Sequence, residues 1–409
     1  MFSVTSRFEQ SYRCVLNTVR NLRYNFILTG MSKFSKLKEK EESFVNFLSS
    51  EFIIRKRYRL AKKFLKDNPQ PKLSQSEKDE IDDFWKRYGV KFPDYSWFEM
   101  YYSVTGIRDP KFIPDPFVGG VLYAYYNDAK SIDGWDDKNL YDKLVSSVSF
   151  PKVYCHYYRG DYYDGSWNYY SPNELDKLSN LIFEEATSKN EQDFVVKKTR
   201  NGSFGKGVQL LSFNSPQDIA SILKSRKSDF VIQEKVHQHP FFNQFNKSSV
   251  NILRVISFRH KGEIKILSAS IRYGIEGAFT DVSFVKGKEI VNVCGINEDG
   301  IINERCANLD GRIAPPQALK EKVLPGFNEV IKQVKIAHQQ LFPFGIVGWD
   351  IAIDINEKPV FIEYNIHWPG TMLYQYANGP YGGKYTENLL EFLTDKDNQK
   401  RYIPGYFRL

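Results

Sequence analysis

The stretch that most restricts what this chain can fold into is Gly348–Gly370, reading GWDIAIDINEKPVFIEYNIHWPG. Apolar and polar residues alternate on both sides of a short polar break, Asn356-Glu357-Lys358, which is the pattern of a β-hairpin. A loop of even length centred on Asn356-Glu357 sets Asp350 opposite Glu363. Directly opposed residues in an antiparallel pair point to the same face. Asn365, two residues beyond Glu363, shares that face, and Asp354 lies along it. Two carboxylates and an amide, with no Cys or His among them, suit a hard cation. Mg2+ takes oxygen ligands and completes its shell with water and phosphate. A solvated acidic face on an edge hairpin would show the same alternation, so the choice between the two depends on the rest of the chain.

The chain has 409 residues, enough for two or three domains and a sizeable core. No apolar run is long enough for a transmembrane helix, and NFILTG near the N-terminus is too short for a secretory signal. Cys14, Cys155, Cys294 and Cys306 have no C-x-x-C spacing, which reads as reduced thiols in a cytoplasmic protein rather than zinc ligands or a disulfide framework. The net charge of +8 is concentrated at one end, because residues 1–75 hold 16 Lys+Arg against 6 Asp+Glu. Within that segment, RKRYRLAKKFLKD places Tyr58, Leu60, Ala61, Phe64 and Leu65 at helical spacing opposite a basic face. Such a helix over residues 1–68 could contact anionic lipid, or it could pack on the body of the protein. Nucleic acid is not an expected partner, since no nucleic-acid motif accompanies the charge.

Asn68-Pro-Gln-Pro71 breaks this segment, and Ser74 or Ser76 then caps a helix ending at Gly89. Residues 90–135 read as short helices and loops with many buried aromatics. The tyrosines crowded between 155 and 170 read as packing under long loops. From residue 172 helices and strands alternate. Asp133, Asp136 and Asp137 read as turn and N-cap residues. His237 and His239 read as surface residues, and His367 and Trp368 as groups that either touch a substrate or pack.

Between two strand patterns lies KKTRNGSFGKGVQLLSF. A Walker A loop or a Rossmann fingerprint would open a helix, so both are excluded. Gly202, Gly205 and Gly207 let the backbone approach an anion closely, with the amides of Gly202, Ser203 and Gly205 to Gly207 and the Lys206 ammonium facing it. An ordinary glycine-rich hairpin is the competing reading. Lys198 ends the incoming strand and would neutralise phosphate oxygens. Further on, an apolar strand turns polar at Gln233-Glu234-Lys235-Val236, where free backbone groups could read an adenine edge. Arg254, within VNILRVISF, demands an anion or a carboxylate partner, as does Arg272 in ASIRYG.

Taken in order, the lysine, Gly-rich lid, QEKV segment, strand arginine and D-x12-E-x-N hairpin resemble the ATP-grasp superfamily. VNILRVISF, GWDIAID and FIEYNIHWPG most resemble its sugar-transfer-associated branch, and the resemblance spans roughly residues 74–395. It implies an α+β ATP-grasp fold, with two subdomains clasping ATP. The implied divisions are a basic helical segment (1–73), an aromatic-rich α/β region (74–170), a first grasp subdomain with the lid (171–236) and a second with the hairpin and tail (237–409). Asp350, Glu363 and Asn365 would hold Mg2+, Lys198 and Lys206 would contact phosphates, Glu234 to Val236 would frame adenine, and Arg254, Lys206 and Arg272 would be catalytic. The chain departs from the branch at Thr199, at Phe204, and after Arg272, where Asp281 has no Asn beside it; these changes bear on the acceptor more than on the nucleotide. The implied activity is ATP-dependent joining of a carboxylate to an amine in polysaccharide assembly. Alternatives are a kinase on the same scaffold or a nucleotide-binding subunit of a membrane assembly.

Overall fold

The computed structural model describes residues 53–408 except 201, 203–206, 226–227, 286, 317–318 and 320. The basic cluster Lys33–Lys40, Cys14 and the lid residues Ser203, Gly205 and Lys206 therefore lie outside the described residues.

Two antiparallel sheets organise the chain. The first has strands β1 (Val153–Tyr158), β2 (Asp161–Asp164), β3 (Tyr169–Tyr170), β4 (Asp193–Lys198), β5 (Val208–Ser212) and β6 (Phe230–Glu234), in the order β3-β2-β1-β6-β4-β5. Helices Leu175–Ser188 and Pro216–Ser225 cover one of its faces. Leu175, Leu178, Ile182 and Ala186 recur at helical spacing and bury against Phe194, Val196, Phe230 and Ile232. With a period of two, Val195, Lys197, Val231 and Gln233 take the opposite face. The tyrosines expected under loops instead form the β1–β2–β3 meander, with Tyr157 opposite Tyr162 and Tyr163 opposite Tyr169. Cross-strand aromatic pairing accounts for their crowding, and the sheet straddles the boundary expected at residue 171.

The second sheet begins with β7 (Ile252–His260) and β8 (Glu263–Tyr273). A small ribbon, β9 (Ser283–Val285) with β10 (Lys288–Ile290), follows, then β11 (Asn292–Ile296), β12 (Ile302–Asn308), β13 (Gly311–Ile313), β14 (Ile346–Ile353) and β15 (Pro359–Asn365). Its order is β13-β12-β11-β8-β7-β14-β15. Helix Phe327–Gln340 packs on one face against Leu253, Val255, Val347, Trp349 and Ile351. The other face carries Ile256, Phe258 and Ile346 against the aromatic N-terminal region. The chain crosses from one sheet to the other through residues 235–251, pinned to the hairpin tip by His239 N donating to Ile353 O and Ile355 N donating to His237 O.

Residues 53–67 are helical and bury Ile54, Arg57, Tyr58 and Ala61 in the N-terminal core, leaving Arg59, Lys62, Lys63 and Lys66 outside. The apolar stripe of this helix thus packs on the protein. The next helix, Gln75–Lys86, starts at Ser74 with a capping box to Glu77, as the sequence indicates. Among the described residues no helix is long and apolar enough to cross a membrane.

Cys294 and Cys306 are joined in a disulfide, which corrects the expectation of reduced thiols. They are 12 apart in sequence but directly opposed across β11 and β12, so register, not spacing, creates the pair.

Two buried histidines set a pH response. His338 donates to Phe344 O through Nε2 and accepts from Ser257 through Nδ1, and burial lowers its pKa to about 3. His156 hydrogen-bonds Asn139 and stacks on Trp167, and burial lowers its pKa to about 4. Both are neutral in the fold, whereas the unfolded chain protonates them below the ordinary histidine value of about 6.5. Their contribution to stability is therefore intact above that pH and declines as pH falls towards about 4 and about 3. The expected slope is about 1.4 kcal/mol per pH unit for each histidine. Urea unfolding at a series of pH values with His338→Gln as comparison checks it: the variant should lose about half of the slope.

Candidate active site

Asp350 and Glu363 are directly opposed in the β14–β15 register, and Gly348 is opposite Asn365. The loop between the strands is odd, however, not even as the sequence suggests. Ile353 pairs with Pro359, and Asp354 N donates to Lys358 O. Glu357 turns the corner at φ 59, the left-handed position of a three-residue hairpin loop. Continued regularly, that register would set Ile362 opposite Asp350 and turn Glu363 to the buried face. A bulge between Asp350 and Ile351, which absorbs Ile362, restores the pairing. The driving force is visible in the packing: Phe361 and Tyr364, three apart, both lie against Trp349 at 5.6 and 6.0 Å. Asp354 is not part of the site, since its carboxylate accepts from Asn356 N and Lys358 N within the loop.

Arg254 is opposite Asp350 on β7. Both are 4% exposed, and the guanidinium holds the carboxylate through Nε at 2.5 Å and Nη2 at 2.8 Å, with Nη1 donating to Pro369 O at 2.8 Å. Arg272 lies 2.7 Å from Asp281 and 3.7 Å from Asp350, and its buried Nε has no hydrogen-bond partner among the described residues. Burial works against the ionised Asp350, but the two arginines outweigh it and hold its pKa below the ordinary value. Asn365 Nδ2 donates to Asp350 at 3.2 Å.

Two lysines that the sequence reading passed over complete the cluster. Lys138 lies 3.2 Å from Glu363, and although burial pulls its pKa down, Glu363 and Asp136 more than offset that. Lys197, 8% exposed, sits near Glu363 and Asp350, and burial lowers its pKa to about 8. Lys198, the lysine expected there, is exposed. Strand parity separates the two: Lys198 follows Phe194 and Val196 to the helix-covered side, Lys197 follows Val195 to the other. Lys138 arrives on the segment read as a mere turn. Asp137 does cap that turn, accepting from Asn139 N, but it also pairs with Arg200 at 2.7 Å, and Lys138 N donates to Thr199 O. This segment ties the end of β4 to the hairpin.

The remaining candidates are placed as follows. Gly202 is half-buried, and Gly207, at φ +83, accepts from Lys198 N. Gln233 is buried on the face of Lys197. The Glu234 carboxylate accepts from Lys152 N, Lys235 pairs with Asp193 at 2.7 Å, and Val236 is half-buried. The Glu234 and Lys235 side chains are thus engaged within the protein, and Glu234 N donates to Lys152 O. His237 pairs with Glu191. Trp368 packs edge-on against Tyr123.

The donor chemistry fits a hard cation. Oxygen atoms of Asp350 and Glu363 and the amide of Asn365 share one face, although among the described residues no group of three His, Cys, Asp or Glu forms a metal cluster. Arg254, Arg272, Lys138 and Lys197 face Asp350, Glu363, Asp281 and Asp136, so the cluster is near balance. A polyphosphate would bring surplus negative charge that a bound divalent cation offsets.

The two antiparallel sheets meet at this charge cluster, Lys197 of the first facing Glu363 and Asp350 of the second. A family model for sugar-transfer associated ATP-grasp proteins matches residues 121–387, and the chain belongs to that family. No curated protein sequence matches the chain. Solved structures that resemble it include the VanG D-Ala:D-Ser ligase from Enterococcus faecalis, at 14% identity and TM-score 0.40, covering 68% of this chain and 69% of that one. Another is an N5-carboxyaminoimidazole synthase from Aspergillus clavatus, at 11% and 0.38, covering 65% and 54%. An L-amino acid ligase from Bacillus licheniformis, at 12% and 0.35, covers 63% of this chain and 48% of its own.

Proposed function

We propose that the protein is an ATP-dependent carboxylate–amine ligase that joins an amine or amino acid to an acidic sugar during surface-polysaccharide assembly. The observation that carries the reading is the Asp350–Glu363–Asn365 face set among Arg254, Arg272, Lys138 and Lys197. Asp350, Glu363 and Asn365 would hold Mg2+, which neutralises phosphate charge when bound. Lys197 and Lys138 would meet phosphate oxygens, the lid from Gly202 to Gly207 with Lys206 would close over them, and the Glu234–Val236 backbone would border the adenine. A substrate carboxylate displaces ADP from the γ-phosphoryl group, giving an acylphosphate. An amine then attacks the acyl carbon and phosphate leaves. Arg254 and Arg272 offset charge on the transferring group, so the protein supplies alignment and electrostatics rather than a covalent nucleophile.

Incubation with ATP, Mg2+ and candidate acid–amine pairs tests this: phosphate release and an amide, identified by mass spectrometry, are expected together. A stable phosphate ester would make the enzyme a kinase, and nucleotide binding without turnover a non-catalytic subunit.

We further propose that the basic N-terminal segment meets the anionic inner face of the cytoplasmic membrane. Vesicles containing anionic lipid should bind the full chain, less so as salt rises, and binding should vanish when residues 1–52 are removed. Equal binding to neutral vesicles would contradict it.

A further inference from the structure

Upstream of the family-matched residues 121–387, a buried ion pair reaches towards the site. Arg57, on the helix over 53–67 and 8% exposed, lies 2.8 Å from Asp115, which is 2% exposed. The same guanidinium stands 5.4 Å over the ring of Trp368. Asp115 in turn accepts a hydrogen bond from the Thr371 hydroxyl. The loop from Trp368 to Thr371 is thus gripped at both ends. Its middle is held too: Tyr123 donates to Gly370 O at 3.0 Å and Arg254 to Pro369 O at 2.8 Å. There is no slack around it. A Cβ on Gly119 would stand 2.1 Å from the Trp368 ring, one on Gly348 would stand 2.6 Å from Pro369 O, and one on Gly370 would stand 2.3 Å from Tyr374.

Buried ion pairs are commonly no more stabilising than apolar replacements of the same volume. What this pair does supply is direction, since each partner has a fixed second contact on the loop. We infer that Arg57 and Asp115 are positioning residues that fix the Trp368–Thr371 loop and, through Pro369 O, the orientation of Arg254 against Asp350. The inference rests on the reading of Asp350 as part of the magnesium–nucleotide site. Outer partners of this kind typically change metal affinity by about 10–100-fold when removed.

The test is equilibrium dialysis of ADP with and without Mg2+ on the full chain, for the native protein, Arg57→Met, Arg57→Lys, Thr371→Val and the Arg57→Met/Thr371→Val double variant. The tightening of ADP binding by Mg2+ should fall about tenfold or more in Arg57→Met and in Thr371→Val, while Mg2+-free affinity stays the same. Arg57→Lys should recover most of it, and the double variant should be no worse than the weaker single one, as expected of residues acting as a unit. Thr371→Val removes only one hydroxyl, so it carries the test if Arg57→Met does not fold. Variants with lowered melting temperature and unchanged Mg2+-dependent tightening would show a purely structural pair and overturn the inference alone. A native protein whose ADP affinity ignores Mg2+ would overturn the site reading and this inference with it.

Discussion

The Asp350→Ala protein is expected to lose about 3–5 kcal/mol of folding stability, as well as its metal-dependent nucleotide binding. Asp350 is the shared counter-ion of two arginines. It receives Arg254 through two hydrogen bonds and stands 3.7 Å from Arg272, and Arg254 is itself 4% exposed. Removing the carboxylate leaves a guanidinium buried without its partner, and a buried uncompensated charge is far more costly than the pair was beneficial. Against a typical total of about 5–15 kcal/mol, the loss is a large fraction of the whole. Glu363→Ala should behave differently. Glu363 is partly exposed and its partner Lys138 keeps Asp136 nearby, so stability should change little. Urea unfolding of the two variants side by side separates the roles: a large stability loss at position 350, a small one at 363, and lost metal dependence at both.

The second large effect concerns the choice between adjacent lysines. Lys197→Met is expected to weaken ADP binding by about 1.5–3 kcal/mol, the range for a hydrogen bond to a charged group, whereas Lys198→Met should leave it unchanged. Calorimetric titration distinguishes them, and the reverse pattern would contradict the placement of Lys197 inside. The pH dependence follows from the same burial. The folded pKa of Lys197 is lowered to about 8, while in the unfolded chain it is near 10.4. Between these values the unfolded chain holds a proton that the folded one lacks, so stability attributable to Lys197 rises with pH across that window. Below about 8 both states are charged and the burial cost is present in full. Nucleotide affinity should run the opposite way, falling as pH rises through about 8, because the phosphate needs the ammonium form. Lys197→Met should abolish both trends.

Much of the site was legible because alternation sets a strand's faces. The period of two, joined to an even loop, sets Asp350, Glu363 and Asn365 on one face, and the apolar run around Arg254 marks its strand. What that reasoning missed was the length of the loop. An odd loop and a bulge cancel, so the right pairing came from an expected even loop that is not there. The one local clue was Phe361 and Tyr364, two large aromatics three apart that cannot share a face in a regular strand. Parity also explains the confusion of Lys198 with Lys197, where the buried Phe194 and Val196 could have been used to count to the correct residue. Lys138 had no such signal: it sits on a short polar turn whose importance comes from the β4 end and the hairpin converging on it. The Cys294–Cys306 bond and the β1–β3 meander are likewise products of register between strands. The helix over 53–67 was recognised by its periodicity, but which surface its apolar stripe covers is a tertiary fact.

The central claim is that the Asp350–Glu363–Asn365 face holds the metal of a bound nucleotide. Calorimetric titration of ADP into native protein and Glu363→Ala, with Mg2+ and with the metal chelated, tests it most directly. The predicted result is tight binding only by native protein with Mg2+, and equally weak binding in the other three cases with the fold intact. Mg2+-dependent binding that survives in Glu363→Ala would contradict the account.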